Sequence, residues 1–248
     1  MNRYAAIDTE MKALLKNKFA PVTWTCGFVE CCFPDFAGAF TKWESELDAR
    51  FGMQTEVQHF HGTLPEALFK LEPLTSPLDR YLLIETSSKW TALFSNGLRV
   101  NDVFSPVSYL PQILKCRGLE VHCIPDRSEI RAKDALRTFG AVTFSMYGPE
   151  NTDWLNRIRT IGVTNDVGGW EFATDGTIQP FENTESYRKR RIVDRFTPEM
   201  LESYCAALGI QAFEESFYGG QCLALHMKTG APPGPTMSIE EARSHLYL

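Results

Sequence analysis

At 248 residues, 44% apolar and 23% charged, the chain has the composition of a globular protein with a substantial core. Its net charge of −6, from 25 basic and 31 acidic residues, excludes whole-chain attraction to nucleic acid or an anionic membrane, although a local basic patch is compatible with it. No window approaches ~18 uninterrupted apolar residues and no apolar leader opens the chain, so neither a membrane span nor a signal peptide is expected.

Residues 3–18 carry Ala6, Met11, Leu14 and Leu15 at helical spacing, and Pro21 ends that helix. Val22 to Phe33 is β-branched and aromatic and reads as a buried strand. From Asp35 the apolar positions Phe36, Phe40, Trp43, Leu47 and Phe51 trace one helix face, stopped at Gly52. Met53 to His61 alternates as a strand. Residues 63–80, with three prolines, read as a helical turn and a loop. Tyr81–Thr86 and Trp90–Ser95 are strands, the second closed by an Asn96-Gly97 turn. A helix spans Ser105 to Cys116, kinked or begun at Pro111, and Leu119–Ile124 is a strand. Residues 125–135 form a charged surface connection.

Arg137–Tyr147 and Thr160–Thr164 are strands. Trp170–Thr174 and Thr177–Phe181 form a hairpin closed by Asp175-Gly176. Glu182 to Phe196 is helical by pattern. Thr197-Pro198 caps a further helix that ends at Gly209 and leads to a strand at Ile210–Phe213. Gln221–Met227 is the last strand, and a Ser238 to Glu241 capping box opens a terminal helix.

These elements define an α+β fold: a mixed, mainly antiparallel sheet with flanking helices. Trp90, Asn96-Gly97, Ser105-Pro106 and Gly118 recur in order as Trp170, Asp175-Gly176, Thr197-Pro198 and Gly209. The order suggests two copies of a β-hairpin–helix–strand unit. The expected organisation is one globular unit over 1–248, with packed halves 20–125 and 136–228 and a C-terminal loop and helix over 229–248.

No GxSxG, GxGxxG or GxxxxGK[ST] occurs. The seven cysteines are odd in number and mostly apolar-flanked, without a CxxC, as buried reduced thiols in a cytoplasmic protein would be. The carboxylates Glu44, Glu46, Glu171, Glu182, Glu185, Glu214 and Glu215 read as solvated surface groups. His59 and His61 share a strand face, and His122 or His226 could complete a metal set. No pattern joins them, so no metal or cofactor is expected.

The basic stretch 185–195 is the clearest candidate surface. On a helix Arg188, Arg191 and Arg195 share one face, with Tyr187 beside them, suited to an anionic partner. Trp154 is a second candidate contact residue. The expectation is a cytoplasmic, non-enzymatic protein that masks or recruits another protein, for example a toxin-neutralising immunity protein. The alternative is an enzyme or ligand-binding domain that uses 185–195 for an anionic substrate.

Overall fold

A computed structural model describes residues 12–98, 103–130, 136–152, 155–166, 169–228 and 234–248. Its helices are α1 (Phe33–Arg50), α2 (Leu64–Leu68), α3 (Phe104–Leu114), α4 (Pro198–Ala207) and α5 (Ile239–His245). Its strands are β1 (Thr25–Val29), β2 (Gln54–Thr63), β3 (Leu74–Thr75), β4 (Arg80–Thr86), β5 (Thr91–Ser95), β6 (Gly118–Ile124), β7 (Ala141–Tyr147), β8 (Arg157–Asp166), β9 (Gly169–Gly176), β10 (Tyr218–Lys228) and β11 (Thr236–Met237).

Nine strands form one sheet in the order β2-β10-β4-β5-β1-β6-β7-β8-β9, and every pairing between them is antiparallel. β11 and β3 make a separate two-stranded ribbon. The fold is α+β, as the order of elements implies. β10, from the C-terminal half of the chain, lies between β2 and β4 of the N-terminal half.

Strand alternation separates two cores. Leu82 and Ile84 of β4, Phe28 of β1 and Phe144 of β7 point into the larger one, with α2, α4, α5 and residues 14–22. Tyr81, Leu83, Leu93, Leu223 and Leu225 point the other way, against Phe33, Phe36 and Phe40 of α1 and Val103, Val107 and Leu110 of α3. α3 seats on the sheet because Gly27 and Gly118 present no side chain beneath it. A Cβ on Gly118 would fall 2.1 Å from the Val107 carbonyl oxygen, and one on Gly27 would fall 2.6 Å from Val107 Cγ2.

Several expected elements take another form. Residues 14–17 are a 3-10 turn; residues 1–11 lie outside the described ones. On α1 the buried face runs through Phe33, Phe36, Ala37, Phe40, Glu44 and Asp48, so Phe51 is left 72% exposed. Four-residue spacing continued through the two acids instead of through Leu47 and Phe51. The partner of β9 is β8, not residues 177–181. Asn96 is fully buried and makes no hairpin turn; the β4–β5 connection is at 87–90.

Residues 210–213 form no strand, although Ile210, Ala212 and Phe213 are buried. The second copy of the proposed unit therefore lacks its closing strand. What recurs is a hairpin followed by a helix: β4–β5 then α3, with Trp90 just before β5, and β8–β9 then α4, with Trp170 in β9.

Residues 185–195 do not form a helix. Two 3-10 turns, Thr184–Arg188 and Ile192–Asp194, flank extended backbone at Lys189 (ψ 145°) and Arg191 (ψ 122°). The cause is packing. Tyr187, Ile192 and Val193 all pack against the main core. At ~100° per residue a helix would turn Ile192 and Val193 about 120–140° away from Tyr187. Breaking the helix lets all three face inward.

Candidate functional site

The refolded basic segment is mainly a cover for the β8–β9 end of the sheet. Tyr187 packs against Phe172 with ring centres 5.3 Å apart and the rings tilted by 43°, and the Arg195 guanidinium lies 5.7 Å from the Phe172 ring centre. The Tyr187 hydroxyl bonds Glu182 and the Tyr204 hydroxyl, each at 2.9 Å. Burial, with Tyr204 and Glu182 beside it, raises the Tyr187 pKa well above the ordinary tyrosine value. Arg195 Nε donates to the Lys189 carbonyl at 2.8 Å. Arg188 and Arg191 are exposed and, among the described residues, pair with their near neighbours, Glu185 at 4.0 Å and Asp194 at 3.9 Å. Among the described residues no contact joins the three arginines. Trp154 lies outside the described residues.

A concavity lies at the opposite end of the sheet. Register places Glu56 of β2, His226 of β10 and Arg80 of β4 in one row across three neighbouring strands, with Gln58 and Ala224 in the next row. Alternation turns all five to the same face. Lys70, from the turn after α2, completes an open cleft of about 470 Å³.

The cleft is braced from behind by Asn96. Its Oδ1 accepts the backbone N–H groups of Asp79 and Arg80, both at 3.0 Å. Its Nδ2 donates to the Pro73 carbonyl at 2.9 Å, Thr75 Oγ1 at 3.1 Å and Asp79 Oδ1 at 2.6 Å. Asp79, so held, puts Oδ2 3.5 Å from His226 Nε2. Lys228 pairs with Glu56 and holds that carboxyl below its usual range.

Arg80 has spare donor capacity. Its Nε is buried without a hydrogen-bond partner, and the nearest carboxylate oxygen, on Asp79, is 3.9 Å away, beyond hydrogen-bond reach. Lys70, Arg80 and Lys228 outnumber Glu56 and Asp79. The cleft can therefore take an anionic group. His226 offers a proton-transfer group there, and no Ser, Thr or Cys is among the lining residues.

The other candidates scatter. His59 and His61 are exposed on β2. His226 lies on the opposite sheet face, because it pairs with Glu56, an odd number of residues from both. His122 is four strands beyond β10 and meets Thr25 Oγ1 at 3.0 Å and Glu120 at 3.2 Å. Burial, then Cys31 and Glu30, pushes the Cys116 thiol up to about 12, so it is no activated nucleophile.

Several acids read as solvated or left unremarked are buried, among them Glu44, Asp48 and the side chain of Glu182. Glu44 and Asp48 face the sheet from α1, and burial, with Asp48 beside it, pushes Glu44 up to about 7. Four-residue spacing from Phe36 and Phe40 was the available signal for both. Nothing local marks Arg80, Lys70 or Asp79, because they meet only when β10 enters between β2 and β4. No protein-family model matches the chain, and no curated protein or solved structure does either.

Proposed function

We propose that the protein is a non-enzymatic binding module that takes an extended segment of another protein along the outer edge of β2. The observation that carries this reading is the strand itself. β2 pairs with β10 without a break over ten residues, from Gln54 opposite Lys228 to Thr63 opposite Gly219, and among the described residues no strand lies on its other side. It contains no proline and no bulge, and its one carboxylate, Glu56, is neutralised by Lys228. Edges of that length usually carry such guards, because unpaired N–H and C=O groups template another strand. An added strand would gain main-chain hydrogen bonds, with selectivity from side-chain pockets. The cleft beside β2 suits an acidic side chain on that segment.

The same cleft supports a second reading, a small anionic ligand held by Arg80 and Lys70. Its volume lies in the range of ordinary small-molecule sites, roughly 300–1,000 Å³.

Lysine guards on the edge separate the two. Wild type, a Val57→Lys/His59→Lys variant and an Arg80→Ala variant are immobilised and exposed to lysate of the source cells. Strand addition predicts one stoichiometric protein on wild type, lost from the double variant and weakened on Arg80→Ala. Equal capture by wild type and the double variant would reject it. A bound metabolite found by mass spectrometry on wild type and the double variant, and absent from Arg80→Ala, would establish the second reading.

A further inference from the structure

Two cysteines converge where β1 runs into α1, and a third lies on the neighbouring segment. Cys31 follows the strand, and Cys32 is the residue before the first turn of α1. Asp35 lies in that first turn, where Cys32 Sγ donates to its Oδ2 at 3.0 Å. The Cys31 and Cys32 sulfurs and an Asp35 oxygen all lie within 4.8 Å of one another.

The third cysteine comes from the segment that leads into β6. β1 and β6 pair from Thr25 opposite His122 to Val29 opposite Gly118. The Glu30 N–H continues the ladder to the Arg117 carbonyl at 2.8 Å. Beyond that bond both chains leave the ladder, Cys31 N–H turning back to Val29 and Cys116 N–H to Pro111, and Cys31 is near enough to Cys116 to help raise its pKa.

A carboxylate in a first helical turn is ordinary by itself, since it suits the helix dipole. Two thiols converging on it, with a third on the neighbouring segment, are not explained that way. We infer that Cys31, Cys32, Asp35 and Cys116 form a binding site for a thiophilic divalent cation, with Zn²⁺ the best fit.

Tetrahedral zinc with Zn–S near 2.3 Å sets its sulfurs about 3.8 Å apart. The three converged atoms need to contract by at most about 1 Å, which side-chain rotation supplies. The cysteine backbone is fixed independently: Thr91 Oγ1 donates to the Cys31 carbonyl at 2.9 Å, the Cys31 N–H bonds the Val29 carbonyl at 2.8 Å, and the Cys32 carbonyl accepts from the Phe36 N–H at 3.1 Å. Glu30 does not compete as a ligand. Arg117 engages it through two bonds, at 2.5 and 2.8 Å, and Lys89 through a third at 2.5 Å. That trio carries one excess positive charge. Two thiolates and a carboxylate around a dication leave one negative charge, and a third thiolate leaves two. The basic neighbours and the positive end of α1 both favour this sign. Soft thiolate donors select zinc over magnesium or calcium.

The test uses the full chain, reduced and stripped of metal, titrated with Co²⁺ and then Zn²⁺. One equivalent of cobalt should give the thiolate charge-transfer band and the intense visible absorption of a tetrahedral site, both removed by zinc. Cys31→Ser/Cys32→Ser should abolish the bands, and Cys116→Ser should weaken the charge-transfer band and lower affinity at least ~10-fold. Should the double variant misfold, alkylation of wild type decides. Zinc should protect Cys31, Cys32 and Cys116 from iodoacetamide and change no other cysteine. Absence of cobalt bands in wild type, bands that survive the double substitution, a Cys116→Ser spectrum equal to wild type, or unprotected thiols would each overturn the assignment.

Discussion

Arg159 and Glu182 form a two-pronged ion pair sealed from water. Nε meets Oε1 at 2.9 Å and Nη2 meets Oε2 at 2.7 Å, with side chains 4% and 0% exposed. Both groups have further partners. Arg159 Nη1 donates to the Asp175 and Gly176 carbonyls, and Glu182 accepts from the Gln179 N–H and the Tyr187 hydroxyl. Removing one partner strands a buried charge, which costs about 3–5 kcal/mol. Glu182→Gln is therefore expected to lower the urea midpoint strongly and to loosen residues 177–196 in hydrogen exchange. Arg159→Met/Glu182→Leu should recover much of that loss. A double variant as unstable as the sum of both singles would contradict the pairing.

Glu44 makes the stability depend on pH. Its folded-state pKa, about 7, is above the ordinary carboxyl value. The unfolded chain therefore releases this proton at lower pH than the folded one. The neutral form's contribution is complete below about 4.5 and is lost as pH rises through 7. Allowing for partial water contact, Glu44→Gln should gain about 1–2 kcal/mol at pH 8 and almost nothing below pH 4.5. At ~2–4 °C per kcal/mol for a chain of this size, melting curves at the two pH values resolve the difference. A pH-independent gain would exclude Glu44 as the cause.

Asn96→Ala removes the brace behind the cleft. Two backbone N–H groups and a carbonyl lose this partner at once, and the Asp79 carboxylate keeps Thr75 Oγ1 but loses its closer donor. With roughly 1 kcal/mol for each buried group left unsatisfied, the expected cost is about 3–4 kcal/mol. Faster amide exchange at Asp79 and Arg80 should accompany it. Unchanged exchange there would show that the segment is held by other contacts.

Gly118→Ala tests the seat of α3. The added methyl would lie 2.1 Å from the Val107 carbonyl and 2.9 Å from Pro111 Cγ, on a backbone that cannot yield. Displacing the helix is expected to cost more than about 3 kcal/mol, above the usual range for overpacking. Gly38→Ala, on the open side of α1 with no neighbour within 4 Å, should be neutral or slightly stabilising. Comparable melting points for both variants would refute the close approach.

Elements that depend on local pattern were legible in the chain. α1, β4, β5, β6 and β10 follow from alternation or four-residue spacing, and Thr197 and Ser238 cap their helices through side-chain bonds to Met200 N and Glu241 N. What failed depended on distant partners. The 185–195 segment reads as helix until Glu182 and Tyr187 are drawn to Arg159 and Tyr204. Glu44 and Asp48 look like surface acids until the sheet is placed beneath them. The cleft needs three strands that the chain never writes side by side, and the thiol cluster needs the β1–β6 pairing that brings the segment of Cys116 near that of Cys31.

The position of β10 also orders the life of the chain. β2 and β4 emerge from the ribosome some 130–170 residues before the strand that fills the slot between them. Until residues 218–228 arrive, β4 presents one open edge and β2 presents two, so the nascent protein is most prone to mispairing before its final strand is in place. A chain cut after Phe217 would lose its second-outermost strand as well as its last one, and β2 would have no sheet left to join.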